Sequence, residues 1–430
     1  MNKKQNISKE PYKGTRDFYP EDLAVQNFIF DKAGQITEKF GYEEYNTSVL
    51  EPTELYKAKS GEEIINEQTY SFMDRGERDV TLRPEMTPSI ARMVAKRKRE
   101  LAYPLRWYSI QNFFRYERPQ KGRLREFWQL NADIFGVEGI EAEVEIISLG
   151  YEIMKSLGAK DEDFEIKINY SGMLAKVLRE ILNEEDEEKI NKTIKVIDRF
   201  GKIPEEEFNK RLDDALGGEK SQILKNKLDD KDSIKELFEK DPNLQICKDL
   251  KNKLETIGIQ AKIDVYLIRG FDYYTGIVFE FFDTNPDNNR SLFGGGRYDK
   301  LLDIFGEEKM PAVGFGMGDV TIKDFLESRN LLPQYQSKTD LYLCTLSSDY
   351  FENANQLADN LRKQGLNIAV NYSNKKIGDQ IAIADKKRIP FVICIGENEV
   401  KNNKYQLKNL QTGEEQEVDG QEVVKEVRPQ

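Results

Sequence analysis

The sequence predicts a mixed α+β domain, interrupted by a helical insertion and followed by a smaller α/β domain. Three observations predict it. Residues 10–165 interleave strand-like and helix-like segments and are rich in aromatic residues and arginine. Between residues 172 and 255 the pattern turns helical: Leu174, Val177, Leu178, Ile181 and Leu182 recur at the spacing of one helix face. After a polar linker, Pro333–Thr339, strand-like runs at Leu341–Leu346, Leu366–Val370 and Phe391–Ile395 alternate with helical stretches. The first of these carries Phe351, Ala354, Leu357, Ala358 and Leu361. That alternation implies crossover connections and a mostly parallel sheet. The chain has 430 residues, enough for two or three domains. The boundaries that follow are 1–332 for the first domain, with its insertion at about 172–255, and 340–430 for the second.

The remaining strands complete the first domain. Trp107–Phe114 and Phe127–Phe135 flank a loop with a Pro and a Gly, which reads as a long hairpin. Val265–Ile268 and Ile277–Phe282 have the β-branched and aromatic texture of sheet. The acidic runs Glu184–Glu188 and Glu205–Glu207 read as solvated helix faces. The tail beyond Gln416 is polar and expected to be loosely ordered.

Composition narrows the chemistry. The formal net charge is −12, so any binding to nucleic acid must run through local basic patches. Three cysteines, Cys247, Cys344 and Cys394, lie far apart without a CxxC pair, which suggests neither a zinc cage nor a disulfide framework. No stretch approaches the ~18 apolar residues of a membrane span, and Met1–Tyr19 lacks the apolar core of a signal peptide. A soluble, cytoplasmic protein with no membrane partner is expected. The chain contains no histidine. Imidazole catalysis and histidine–metal ligation are therefore excluded. The chemistry must run on Arg, Lys, Asp, Glu, Tyr, backbone amides and any oxygen-bound metal.

Five segments stand out. In Thr81–Pro88, Thr87 reads as an N-cap and Pro88 as the first helical residue, with Ile90, Met93 and Val94 as the apolar face. Glu85 then sits at a strand-to-helix junction; taken alone, the segment reads as a capped helix with an ordinary surface glutamate. Phe114–Gln129 concentrates Arg115, Arg118, Lys121, Arg123 and Arg125 around Pro119 and Gly122. Arginine suits bidentate phosphate binding, so this hairpin could grip a nucleotide triphosphate at its base and an RNA end at its tip. On its second strand Gln129, Asn131 and Asp133 recur with period 2 and share one face, which is costly unless that face lines a wet or ligand-filled site. Arg269–Gly276 sets an arginine, Tyr273 and Tyr274 between two glycines. The glycine-rich Phe293–Asp299 and Val313–Gly318 match neither the Walker nor the dinucleotide pattern.

In this order the segments resemble the histidyl-tRNA synthetase family, over nearly the whole chain. Gly14–Asp17 resembles the family's N-terminal signature, Glu51–Leu55 class II motif 1, Phe114–Gln129 motif 2, and Arg269–Gly276 the signature specific to the histidine enzymes. Residues 341–410 resemble the anticodon-binding domain. The resemblance implies a class II antiparallel sheet flanked by helices, a homodimer, ATP with Mg²⁺, and the partners histidine and tRNA(His). It also implies residue roles. Arg115 and Arg269 would be catalytic, and Arg115, Glu117, Arg123 and Arg297 would bind ATP. Glu85, Thr87, Gln129, Asp133, Arg269, Tyr273 and Tyr274 would surround histidine. Arg118, Gln120 and Lys121 would meet the tRNA acceptor end. No metal ligands are assigned. One feature departs from the pattern: motif 3 ends in Gly-x-Glu-Arg in the family, and its arginine contacts ATP. Here Gly318 is followed by Asp319, Val320 and Thr321, leaving Lys323 or Arg297 as replacement cations.

Two other functions fit parts of this pattern. A non-charging regulatory paralogue of the ATP phosphoribosyltransferase of histidine biosynthesis would share the core, but such paralogues usually lose the Arg269–Tyr274 signature and the anticodon domain. A class II synthetase for another amino acid would not carry Arg269–Tyr274. A reconstructed synthetase purged of histidine would differ in origin only. A histidine-free enzyme that makes histidyl-tRNA would be translated without its own product. Its synthesis in a histidine-depleted host, followed by pulse labelling, is expected to continue while histidine-containing proteins stall; stalling alongside them would refute the idea.

Overall fold

The computed structural model describes residues 7–57, 68–117, 122–197, 203–229, 236–268, 273–288 and 290–428. They form two compact units, Met1–Leu332 and Pro333–Gln430.

The first unit is organised by an eight-stranded sheet. Its strands are β1 (Glu43–Glu44), β5 (Leu105–Phe114), β6 (Glu126–Phe135), β7 (Phe164–Tyr170), β8 (Ala261–Ile263), β9 (Ile277–Asp283), β10 (Ser291–Arg297) and β11 (Ala312–Gly318). They lie in the order β1-β5-β6-β11-β10-β9-β7-β8. The six central strands pair antiparallel, and only the outer pairs β1–β5 and β7–β8 are parallel. The β5–β6 hairpin is in register from Leu105↔Phe135 to Phe114↔Glu126. Period 2 divides β6 cleanly. Leu130, Ala132 and Ile134 face the helices Pro20–Lys39 and Glu141–Ser156, packing with Ile29, Ala33, Ile146 and Ile147. Phe135 faces the other way, with Phe113, Tyr273, Tyr298 and the helix Thr87–Arg97. A separate three-stranded sheet, β2 (Leu50–Pro52), β3 (Tyr70–Met73) and β4 (Asp79–Leu82), leads into that helix.

Between β7 and β8 the chain makes the expected helical insertion. Helices Met173–Leu182, Glu187–Ile197, Glu205–Leu216 and Gly218–Asp229 bury a core of their own, including Val177, Ile190, Phe208, Leu212 and Leu224. The last helix of the interval, Pro242–Thr256, returns to the sheet and adds Cys247, Leu250 and Leu254 to the main core. Val265–Ile268 is not a strand. Asp264 accepts hydrogen bonds from Tyr266 N at 3.0 Å and, through its carbonyl, from Leu267 N at 3.0 Å, so the chain turns there.

The second unit holds a five-stranded sheet in the order β13-β12-β14-β15-β16: β12 (Leu341–Thr345), β13 (Ile368–Val370), β14 (Phe391–Ile395), β15 (Lys404–Asn409) and β16 (Glu415–Asp419). The first three are parallel, as the alternation of strands and helices requires, and the last two are antiparallel. The tail is ordered, contrary to the polar reading of it: β16 is followed by a helix, Glu422–Val427, whose Val423 is buried. All three cysteines are free thiols.

Arg297, expected to bind ATP, is engaged in a buried ion pair. Its guanidinium is buried at the end of β10 and forms a two-pronged ion pair with Glu143, both contacts 2.6 Å. It also donates to the carbonyls of Val137 at 2.9 Å and Gly139 at 3.0 Å. Glu143 is only 1% exposed. Removing one member of such a pair strands the other charge in the interior. Arg297→Ala is expected to lower stability by about 3–5 kcal/mol in urea unfolding.

Candidate active site

The polar line on β6 and the strand-to-helix junction meet across one cleft of about 410 Å³. Its lining includes Glu85, Thr87, Arg115, Gln129, Asn131, Asp133, Tyr273 and Tyr274. These come from four places in the sequence. Six of the seven residues expected to surround histidine are thus brought together; the seventh, Arg269, lies outside the described residues, as do Arg118, Gln120 and Lys121.

The cleft exists because β11 is glycine-rich where it runs beside β6. Gly314 pairs with Asp133 and Gly316 with Asn131. A Cβ on Gly314 would fall 2.0 Å from Asp133 Oδ1, and one on Gly316 would fall 3.0 Å from Asn131 Oδ1. Any side chain there would fill the space above the polar line. The glycines read singly as weak signals together clear the floor of the site.

Each functional side chain has a defined support. Arg83, two residues before Glu85, is fully buried and donates to Asn112 O, Thr47 O and Gln111 Oε1 at 2.9–3.0 Å. The Pro84 carbonyl accepts from Arg115 Nε at 2.9 Å, aiming that arginine from β5's end. Arg115 also lies over the Phe127 ring at 5.2 Å. Glu85 is buried, not a surface residue, and accepts from the Tyr273 hydroxyl at 3.0 Å; the same hydroxyl reaches Thr87 Oγ1 at 3.3 Å. Thr87 begins the helix instead of capping it, since Met86 is the capping residue. Its hydroxyl is left to face the site.

At the other end, Asp133 is buried and accepts a short hydrogen bond from Tyr298. Burial raises its pKa to about 7, and the Tyr298 bond only partly offsets that rise. Burial likewise pushes the Tyr273 and Tyr298 phenols well above their usual range, so both are donors at neutral pH. Asn131 Nδ2 is buried with no acceptor among the described residues. Such a donor is costly to leave unpaired, and Asn131 lines the cleft that a polar ligand would fill. Tyr298 lies in the glycine-rich segment Phe293–Asp299 but has no site role in the sequence reading. Its only sequence signal is its place directly after the Gly294–Arg297 run.

Near the hairpin turn, Glu117 lies 4.0 Å from Arg115 Nη1 and 3.3 Å from Arg123 Nη1. At the motif 3 departure, Asp319 accepts from Trp128 N at 3.0 Å and pairs with Arg16 at 2.6 Å. The Thr321 hydroxyl donates to Leu292 O at 2.7 Å. Lys323 sits 3.9 Å from Asp22. Among the described residues no three Asp, Glu or Cys side chains are gathered as metal ligands.

Such a cleft can neutralise a cationic group with carboxylates and an anionic group with arginine, within one small volume. Comparison with known proteins agrees with it. The family model for histidyl-tRNA synthetase matches residues 14–320, and that for the anticodon binding domain matches residues 340–430. The chain is 41% identical over 414 residues to a histidine–tRNA ligase of Leptospira biflexa, covering 95% of this chain and 94% of that one. It is 37% identical over 421 residues to the corresponding ligase of Thermoplasma volcanium, covering 95% of each. In fold it is similar to the crystal structure of histidyl-tRNA synthetase from Nostoc, with a TM-score of 0.75 at 24% identity over 98% of this chain and 99% of that one. By its sequence over nearly its full length, the chain belongs to the histidyl-tRNA synthetase family.

Proposed function

We propose that this chain activates histidine with ATP and transfers the histidyl group from the adenylate to the 3′ end of tRNA(His). The observation that carries the reading is the convergence of Glu85, Asp133 and Arg115 on one cleft. Histidine offers an ammonium and an imidazole, which two carboxylates complement, and a carboxylate that must meet the α-phosphate of ATP beside a guanidinium.

The roles follow from position. Glu85, Thr87 and Gln129 receive the α-ammonium group. Asp133 and Tyr274 receive the imidazole, with Tyr273 and Tyr298 holding the carboxylates in place. Arg115 bears on the α-phosphate, where negative charge grows as the histidine carboxylate attacks. Fixed donors aimed at growing charge commonly provide the largest share of catalysis. Arg269 is proposed as the second such cation, and Glu117 and Arg123 as holding the rest of the nucleotide. Arg297 is not part of that set. Mg²⁺ would be bound chiefly by the triphosphate oxygens, with Glu117 the carboxylate that the hairpin supplies. Its chemistry there is charge neutralisation. Arg118, Gln120 and Lys121 remain the proposed contacts to the tRNA acceptor end, and residues 340–430 the contact to the anticodon. The enzyme would work in the cytoplasm; no described helix is long and apolar enough to cross a membrane.

A homodimer is proposed as well. Val49, Leu50, Phe72 and Met73, in and beside the small sheet that contains the motif 1 proline Pro52, expose large apolar side chains. Phe72→Asp with Met73→Asp is expected to shift sedimentation from dimer toward monomer; an unchanged dimer would place the interface elsewhere.

ATP–pyrophosphate exchange with each amino acid supplied separately tests the function. Exchange is expected with histidine alone. Exchange with another amino acid would keep the fold and overturn the pocket assignment, and none at all would favour the non-charging paralogue.

The pH dependence is set by one shared proton. Free Asp133 titrates at about 7 and free imidazole at ~6.5. The complex holds one proton between them, so kcat/KM for histidine should peak between those values and fall on both sides. In Asp133→Asn the alkaline limb should disappear and affinity for histidine should drop, with KM for ATP nearly unchanged. The same variant should stabilise the ligand-free protein above pH 7 by about 1–2 kcal/mol, as relief of a functional strain commonly does. The sign follows from linkage. A carboxyl raised in the folded state binds more protons folded than unfolded between pH ~4 and 7, so wild-type stability falls as pH rises through that window.

A further inference from the structure

We infer that Arg290 supplies the cation that the motif 3 departure removes, binding the β- and γ-phosphates of ATP and steadying the pyrophosphate as it leaves. This rests on the reading of the cleft as a histidine-activating site.

The argument starts at the hairpin turn. A Cβ built on Gly122 would lie 3.0 Å from Arg290 Nη1 and 3.9 Å from the Thr321 methyl. Arg290, from the loop before β10, and Thr321, in the position of the missing motif 3 arginine, therefore meet at one spot against the turn. Gly122 has φ +76°, and its lack of a side chain lets the turn come this close to the guanidinium. Thr321 is committed elsewhere, since its hydroxyl bonds back to β10.

Charge around the hairpin points to a multivalent anion. Arg125 is used structurally: it stacks 4.0 Å over the Tyr116 ring and donates to Glu117 O and the Tyr12 hydroxyl. Among the described residues of the hairpin, Arg115 and Arg123 both lie within 4.0 Å of Glu117, and Arg290 adds a further guanidinium beside the turn. Arg290 is exposed and forms no side-chain ion pair with any described residue. The order along the hairpin then assigns the phosphates. Arg115 lines the cleft that takes the amino acid, so it meets the α-phosphate. Gly122 lies beyond the backbone bond from Arg115 N to Arg125 O, toward the turn. A triphosphate leaving the cleft in that direction brings its β- and γ-phosphates to Arg290. A carboxylate oxygen of histidine attacks the α-phosphorus, the bond from that phosphorus to the α,β-bridging oxygen breaks, and pyrophosphate departs with the electron pair. A guanidinium at Arg290 meets the charge that the leaving group gains.

The test uses Arg290→Ala in the full-length enzyme. In histidine-dependent exchange, kcat/KM for ATP should fall ~10²-fold, the usual loss for one such donor. Pyrophosphate should bind more weakly in the reverse direction. AMP binding, and transfer from preformed histidyl-adenylate to tRNA, should match wild type, because neither involves the outer phosphates. Adding Thr321→Arg to Arg290→Ala should restore ATP use. Wild-type kcat/KM for ATP in Arg290→Ala would overturn the inference. So would an equal loss of AMP binding or of transfer from the adenylate, which marks a general structural defect. If the wild-type enzyme shows no histidine-dependent exchange, the functional reading fails on its own. Direct binding of ATP against AMP to Arg290→Ala and wild type would still decide the phosphate site.

Discussion

The catalytic cleft hangs on a guanidinium that solvent never reaches. Arg83 is fully buried, and its bonds run to main-chain and side-chain acceptors at Thr47, Gln111 and Asn112. Among the described residues no carboxylate is in ion-pair contact with it, and Glu51 attracts it only from a distance. Neutral acceptors must therefore meet all of its donors, which demands tight geometry from two separate stretches of chain. The backbone of Arg83 is fixed as well, donating to Val49 O at 2.9 Å and accepting from Phe114 N at 3.0 Å. Pro84 and Glu85 follow directly, so the arginine that solvent cannot reach sets where the site's first carboxylate stands. The Pro84 carbonyl then orients Arg115. Two of the charges proposed to act on substrate thus take their positions from one buried anchor.

The site is arranged against its own stability. Two carboxylates, Glu85 and Asp133, are buried in one cleft, each bonded to a buried tyrosine. Asn131 leaves a buried donor unpaired. A core built for stability would avoid all three. They fit a pocket whose remaining bonds arrive with the ligand. A pocket that hydrogen-bonds its ligand in this way rejects look-alikes strongly, because a wrong ligand leaves those same groups unpaired. The cost is borne by the sheet, whose opposite face packs Leu130, Ala132 and Ile134 into the largest core.

Local sequence pattern revealed the scaffold of this arrangement better than its contacts. The β5–β6 hairpin, the polar line Gln129, Asn131 and Asp133, the first insertion helix and the three parallel strands of the second unit were legible from local pattern, whereas β15 and β16 were not. Glu85 was legible only as a helix-junction residue, since the tyrosine that buries it is 188 positions away. The bond between Tyr298 and Asp133 spans 165 positions and left no local trace. The partner of Arg297 was hidden for the same reason: Glu143, which holds its guanidinium, lies 154 positions earlier. Val265–Ile268 had strand texture, but one aspartate before it closed a turn instead.

The absence of histidine is consistent with this chemistry. A pocket for imidazole needs partners that complement it. A second imidazole in the wall would offer the same donor and acceptor pattern as the ligand and would titrate in the same pH range. The groups present instead are carboxylates, amides and phenols. The buried phenols keep their protons at neutral pH, and the Asp133 carboxyl, held near neutrality, can trade a proton with the incoming ring. On the phosphate side, guanidinium groups stay charged at any pH the enzyme meets. A synthetase of this design has no step for which its own imidazole is required, so a chain free of histidine gives up no part of the proposed mechanism.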